Sequence, residues 1–227
     1  MNPVSKAKIG CLPPDLSVSG WVQGEATNFE KLAGRVVLVE MFQVNCPGCF
    51  LYSLPQAIDL HQRYADQGLA VLAVATAFED FDKNTLQNLV SLTETGQLIG
   101  ETLRVLTEQG QTRNGRWRYR LPFPVAMDRL VKMEKPVTDQ AVEQFIQQKL
   151  PDIAAHSSDY RQQIRRRVLN YLQSLEFRAE TFERFDLQGT PSHVLVDKQG
   201  ILLACRFGAF PELESLVRQL IADPVPA

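Results

Sequence analysis

Cys46 and Cys49 are separated only by Pro47 and Gly48, which is the spacing a reversible dithiol needs. Residues three apart share one face of a helix, so the two sulfurs can meet. If Cys46 stands just ahead of the helix, Pro47 takes the first helical position, where its fixed φ suits the turn and its missing N–H is not needed. The N–H groups of Gly48 and Cys49 then point back at the Cys46 sulfur. Together with the positive end of the helix dipole they favour thiolate over thiol, and the thiolate is the nucleophile of disulfide exchange. Cys46 reads as the attacking sulfur and Cys49 as the resolving one, more deeply placed. Structural zinc takes four ligands, whereas Cys11, Cys205, His61, His156 and His193 stand singly and far apart. No metal and no bound cofactor is expected, the dithiol being itself the redox centre.

Such a pair has to be held at the end of a strand. Residues 36–42 and 69–77 are near-continuous apolar runs, as expected of strands covered on both faces, and the amphipathic stretch 50–67 supplies the crossover of a parallel βαβ unit. Residues 82–109 have helical periodicity, weakened by Gly96 and Gly100. Residues 123–127 read as a short strand. Residues 192–196 and 201–207 flank Asp197-Lys198-Gln199-Gly200, a hairpin signal. A last helix covers 213–221, and 224–227 read as a frayed tail.

The chain has 227 residues, 44% of them apolar, enough for a substantial core in one elaborated domain or two small ones. A net charge of -2 argues against nucleic acid or an anionic membrane as partner. No apolar run reaches the roughly 20 residues that span a bilayer. Residues 1–10 carry basic side chains but no apolar signal-peptide core, so a cytoplasmic location is expected, with the periplasm left open. Four cysteines are too few for a disulfide scaffold.

The run Gly34-Arg35-Val36-Val37-Leu38-Val39-Glu40-Met41-Phe42, then the cysteine pair, then Gly189-Thr190-Pro191 before a strand-turn-strand, resembles the thioredoxin-like superfamily. Its TlpA/ResA type of thiol-disulfide oxidoreductase, related to the AhpC/TSA peroxiredoxins, is the nearest likeness. The resemblance covers residues 15–77, 123–128 and 185–221. It implies an α/β fold with a central mixed sheet flanked by helices. It also implies a cis Pro191 beside the cysteines, and a substrate-binding rim of Thr190, Pro191, Pro47 and Gly48, where an extended segment can add as a strand. Glu40 stands where thioredoxins carry a buried acid; a carboxyl desolvated there would hold its proton strongly and exchange it with Cys49. The plainer reading turns Glu40 to solvent or pairs it with an arginine. The implied activity is dithiol–disulfide exchange with a disulfide-containing protein or small thiol substrate, the pair being reset by an external thiol reductant or oxidant. A thiol peroxidase is the alternative, although Gln43 stands three residues before Cys46, where peroxiredoxins have Thr or Ser. The other is a binding module acting through inserted helices.

Departures from the family pattern carry information too. Asn45 replaces the tryptophan of many relatives, which leaves cover of the sulfur to Trp21 or Phe42. Pro55 lies six residues after Cys49 rather than five, so either the kink is rotated or the helix start is altered. Residues 129–184 form a helical insertion before the cis-proline strand, with stripes Ala141, Phe145, Ile146 and Ile164, Val168, Leu172, Leu175 divided at Pro151. The domain reading is 1–128, 129–184 and 185–227. The insertion could serve as a lid, a partner or oligomer face, or as decoration. Within 110–121, Asn114-Gly115 and the alternation Arg116-Trp117-Arg118-Tyr119-Arg120 read as a hairpin with a basic and an aromatic face, its rings on apolar surface and its arginines in water. His193 is either at the site or a satisfied core residue, Cys205 a small buried hydrophobe, and Cys11 an exposed thiol.

Overall fold

A computed structural model describes residues 6–133 and 136–223, so the expected tail at 224–227 lies outside the described residues. In chain order the elements are β1 (Val18–Gln23), β2 (Val36–Phe42), α1 (Leu54–Tyr64), β3 (Leu69–Ala75), α2 (Leu86–Thr95), α3 (Gly100–Glu108), β4 (Thr112–Arg113) and β5 (Arg116–Trp117). There follow β6 (Val125–Asp128), β7 (Leu130–Lys132), α4 (Asp139–Lys149), α5 (Ser158–Ser174), β8 (Phe177–Ala179), α6 (Glu180–Arg184), β9 (Ser192–Val196), β10 (Leu202–Phe207) and α7 (Leu213–Ala222). Six of the strands form one mixed sheet in the order β1-β6-β3-β2-β9-β10. β2, β3 and β6 run parallel, and β1, β9 and β10 pair antiparallel with their neighbours.

Every residue of β2 and β3 is buried, which is why their sequences are apolar apart from Glu40 instead of alternating. On one face Val36, Leu38 and Phe42 pack with Cys49, Phe50, Leu54, α2, α3 and α7. On the other, Val37, Val39 and Met41 meet Phe185, Leu187, Phe29 and Leu32, supplied by loops and the chain around α6. Asp128 ends β6 fully buried. Its carboxylate accepts the N–H groups of Thr181 (2.8 Å) and Phe182 (3.1 Å) and the Thr76 hydroxyl (2.9 Å), so it caps α6. At the far edge of the sheet, Gly10 N–H donates to the Leu202 carbonyl at 2.8 Å and Leu202 N–H to the Cys11 carbonyl at 2.9 Å.

Several local expectations are corrected. Residues 82–109 are two helices, because Gly96 adopts φ 75° at the end of α2 and Gly100 adopts φ 51° at the start of α3. Asn114 and Gly115 do make the tight turn, with φ 54° and 71°. The strand stops at Trp117, however, so the alternation through Arg120 has no ladder beneath it. Trp117 is 5% exposed and meets Phe50 edge-on at 4.9 Å, Tyr119 is 39% exposed, and Arg120 Nη1 caps α2 through the Thr93 and Glu94 carbonyls. Trp21 packs on the sheet face opposite the cysteine pair and offers the Cys46 sulfur no cover, whereas Phe42 lies in the cluster against which Cys46 packs.

Residues Val131–Arg178 form a separate compact unit. In it α4 and α5 bury Val142, Ile146, Val168 and Leu172. The α4 stripe therefore runs through Val142 and not Ala141. This unit is narrower than 129–184, since residues 180–184 are α6, tied to Asp128.

Candidate redox site

The cysteine pair lies where β2 ends and the chain turns into its helix. Pro47 and Gly48 are already helical, but Cys49–Ser53 is wound as a π-turn, and regular α-helix begins at Leu54. A π-turn accommodates one extra residue without rotating the helix beyond it. That is how the chain absorbs the late Pro55, which falls directly after the π-turn as the second residue of α1.

On the other side of β2, the register Glu40–His193 and Met41–Ser192 carries the start of β9 to the level of the cysteine loop. The Thr190-Pro191 peptide is cis. Its Thr190 carbonyl lies 3.6 Å from Cys46 Sγ, and the Cys49 N–H donates to the same sulfur at 3.3 Å. A Cβ on Gly48 would lie 3.8 Å from Pro191 Cδ, so the helix start and the proline segment are in close apposition. All four cysteines are free thiols. The Cys49 thiol, the Thr190 side chain and the Cys49 and Gly48 amides lower the Cys46 thiol to about 7 against the pull of its partial burial. Burial pushes the Cys49 thiol up, and the Cys46 sulfur beside it pushes the same way. One sulfur is thus partly ionised at neutral pH and its partner holds its proton.

Two residues that the cysteine spacing does not single out fix this geometry. Gln43, 2% exposed, accepts the Thr190 hydroxyl through Oε1 at 3.0 Å and donates to the Glu79 carbonyl at 3.4 Å, tying the proline segment to the cysteine loop. Asn45 is a strut instead of an aromatic cover: its Oδ1 accepts the Glu101 N–H at 2.7 Å and its Nδ2 donates to Asp80 at 2.7 Å.

Glu40 is fully buried and alternates with Leu38 and Phe42 on the face that packs against Cys49. Its partner is neither solvent nor an arginine. Glu40 Oε1 lies 2.7 Å from His193 Nδ1, and Oε2 has no hydrogen-bond partner among the described residues. No hydrogen bond joins Glu40 to Cys49 among those residues. Burial raises the Glu40 carboxyl, with His193 acting against it. Burial is the largest single influence on the His193 ring and pulls it down, but the Glu40 charge, the hydrogen bond to Glu40 and the one to the Gly208 carbonyl together outweigh it, so the net direction is up. Cys205 is half-buried and raised to about 11 by burial, and Cys11 is exposed; neither lies in this cluster. Among the described residues no group of His, Cys, Asp and Glu could hold a metal.

No family model matches the chain. Over 86 residues it is 31% identical to Protein DipZ of Mycobacterium bovis, and likewise to that of Mycobacterium tuberculosis; the aligned part is 35% of this chain. The chain spans only 12% of the length of those curated relatives. Among solved structures, a thioredoxin-like superfamily protein superposes with a TM-score of 0.59 at 21% identity, covering 95% of this chain and 99% of the other. A thiol-disulfide isomerase from Corynebacterium glutamicum gives 0.56 at 24% identity, covering 95% and 98%. Sheet order, the cis proline facing the cysteine pair and these superpositions agree: the chain has the thioredoxin-like fold.

Proposed function

We propose that this chain exchanges dithiols for disulfides through Cys46 and Cys49. The reading is carried by one observation: a sulfur lowered to about 7 receives the Cys49 N–H at 3.3 Å and faces the Thr190 carbonyl at 3.6 Å, beside cis Pro191. In the reducing direction the Cys46 thiolate attacks one sulfur of a substrate disulfide. The substrate S–S bond breaks, a Cys46–substrate bond forms, and the leaving thiolate takes up a proton. Cys49 then loses its proton and attacks Cys46 Sγ, which releases the second substrate thiol and leaves a Cys46–Cys49 disulfide. Two electrons pass to the substrate, and an external dithiol restores the pair; run backwards, the same steps oxidise a substrate dithiol. The Thr190-Pro191 segment with Pro47 and Gly48 forms the rim against which an extended substrate lies. The thiol-disulfide isomerase with this fold is in keeping with the reading.

The test is dithiol-driven insulin reduction alongside peroxide consumption, each with Cys46→Ser and Cys49→Ser. Insulin turnover lost in Cys46→Ser, with a mixed disulfide trapped in Cys49→Ser, is the expected result. Peroxide turnover without disulfide turnover would replace this reading with a thiol peroxidase.

A further inference from the structure

His193 is 1% exposed and Glu40 0%, yet both of the ring's nitrogens are engaged. His193 Nε2 lies 2.9 Å from the Gly208 carbonyl, and Nδ1 lies 2.7 Å from Glu40 Oε1. A carbonyl oxygen only accepts, so Nε2 carries a hydrogen. The Nδ1–Oε1 contact must then hold a proton as well, either on the carboxyl or on the ring, because a bare nitrogen and a carboxylate would repel at that distance. With the proton on the ring, Glu40 is a carboxylate whose second oxygen, Oε2, is buried and unpartnered among the described residues, on the sheet face that packs against Cys49.

We propose that His193 is a positioning residue that takes up the Glu40 proton, leaving the buried carboxylate as the base for Cys49 in the resolving step. The inference rests on the redox reading and deepens it. As Cys49 attacks Cys46 Sγ, the new S–S bond forms and the bond to the substrate sulfur breaks. The Cys49 proton passes to Glu40 Oε2 and then to the departing substrate thiolate, so the Glu40–His193 pair ends as it began. Without His193, burial would hold Glu40 protonated and unable to accept. The charged or titratable groups on the surrounding elements are few. The helix start brings Cys46 and Cys49, and β10 brings Arg206, paired with His193 in register, with its guanidinium over the Phe210 ring at 5.2 Å. β3 offers Ala73 opposite Glu40, the chain after β10 offers the Phe210 ring, 5.8 Å from that of His193, and α7 adds Leu213 and Val217.

The experiment forms the mixed disulfide between Cys46 and a peptide thiol and follows its resolution by Cys49 against pH, in wild type, His193→Phe, His193→Gln, Glu40→Gln and the Glu40→Gln/His193→Phe pair. At neutral pH His193→Phe should slow resolution at least about tenfold and recover as pH rises and Cys49 ionises unaided. His193→Gln, which can still donate to Glu40, should fall between the two. The double variant should be no slower than Glu40→Gln. A loss that is equal at every pH, an unmoved profile, or additive losses would overturn the proposal. So would ¹⁵N spectra of the wild-type ring showing a bare Nε2, a measurement that does not depend on any variant folding. Resolution that proceeds in wild type with none of these pH effects removes the His193 role alone; no mixed disulfide at all removes the redox reading with it.

Discussion

Asn45 Oδ1 accepts the Glu101 N–H at 2.7 Å, so a residue of the cysteine loop caps a helix 56 positions along the chain. α3 lacks a local side-chain cap, its preceding residue being Ile99. The borrowed cap depends on Gly100, at φ 51°, where an added Cβ would collide with that same oxygen. The position that holds an aromatic in many relatives is thus spent on bracing the loop.

Gly100→Ala should therefore destabilise the protein by about 2 kcal/mol, combining left-handed strain with loss of the cap. Asn45→Ala should cost about 1 kcal/mol. The two act on one contact, so urea unfolding of the double variant should show clearly less than the sum. Simple additivity would mean that the two residues do not act through a shared contact.

Cys46 alkylation should inflect at about pH 7. The Cys49 thiol is the largest cause of that lowering, so Cys49→Ala should move the inflection up toward the free-cysteine value of about 8.5. Cys49→Ser keeps a donor and should move it less. An unchanged inflection in Cys49→Ala would assign the lowering to Thr190 and the helix amides.

Deletion of Tyr52, which is 69% exposed within the π-turn, should convert Cys49–Ser53 to ordinary helix and leave stability within about 1 kcal/mol of wild type. Deleting Gln62 from α1 instead rotates the flanking residues by about 100° and should cost several times as much. Thermal melts of the two deletions decide the matter. Equal losses would show that the π-turn does not absorb a residue.

Glu40 and His193 are both raised, so the folded chain keeps their protons to higher pH than the unfolded chain does. Their contribution is complete below the unfolded values of 4.5 and 6.5 and is lost as pH rises through the folded ones. The lowered Cys46 thiol works in the opposite sense, gaining stability as pH rises, and it is common to wild type and Glu40→Gln. The difference in unfolding free energy between those two proteins should therefore shrink as pH rises above the unfolded carboxyl value of 4.5 and on past the unfolded imidazole value of 6.5. A difference that grows over that range would reverse the assignment.

Much of the frame is legible in residue order. The near-continuous apolar runs at Val36–Phe42 and Leu69–Ala75 announce doubly covered strands, and the cysteine spacing announces a helix start. The less legible features are set by register and not by composition. Nothing local pairs Glu40 with His193, 153 residues on; that contact exists only once β2 and β9 are aligned. β1 is hard to read because Val18-Ser19-Gly20-Trp21 is a weak strand signal that needs β6 beside it, and its pairing is itself irregular. The π-turn does leave a trace, in the lateness of Pro55. Gly96 and Gly100, weak points of a helical pattern in the sequence, are true breaks in the fold, since both adopt positive φ.

The bonds from Gly10 and Cys11 to Leu202 carry a consequence for solution behaviour. β10 is the last strand of the sheet, and an uncovered border of that kind is a template on which another molecule can continue the ladder. Trimming the chain through Cys11 would lift this selvedge off Leu202 and should leave the fold intact while making it prone to associate into fibres, a liability that light scattering would register before any loss of thiol chemistry.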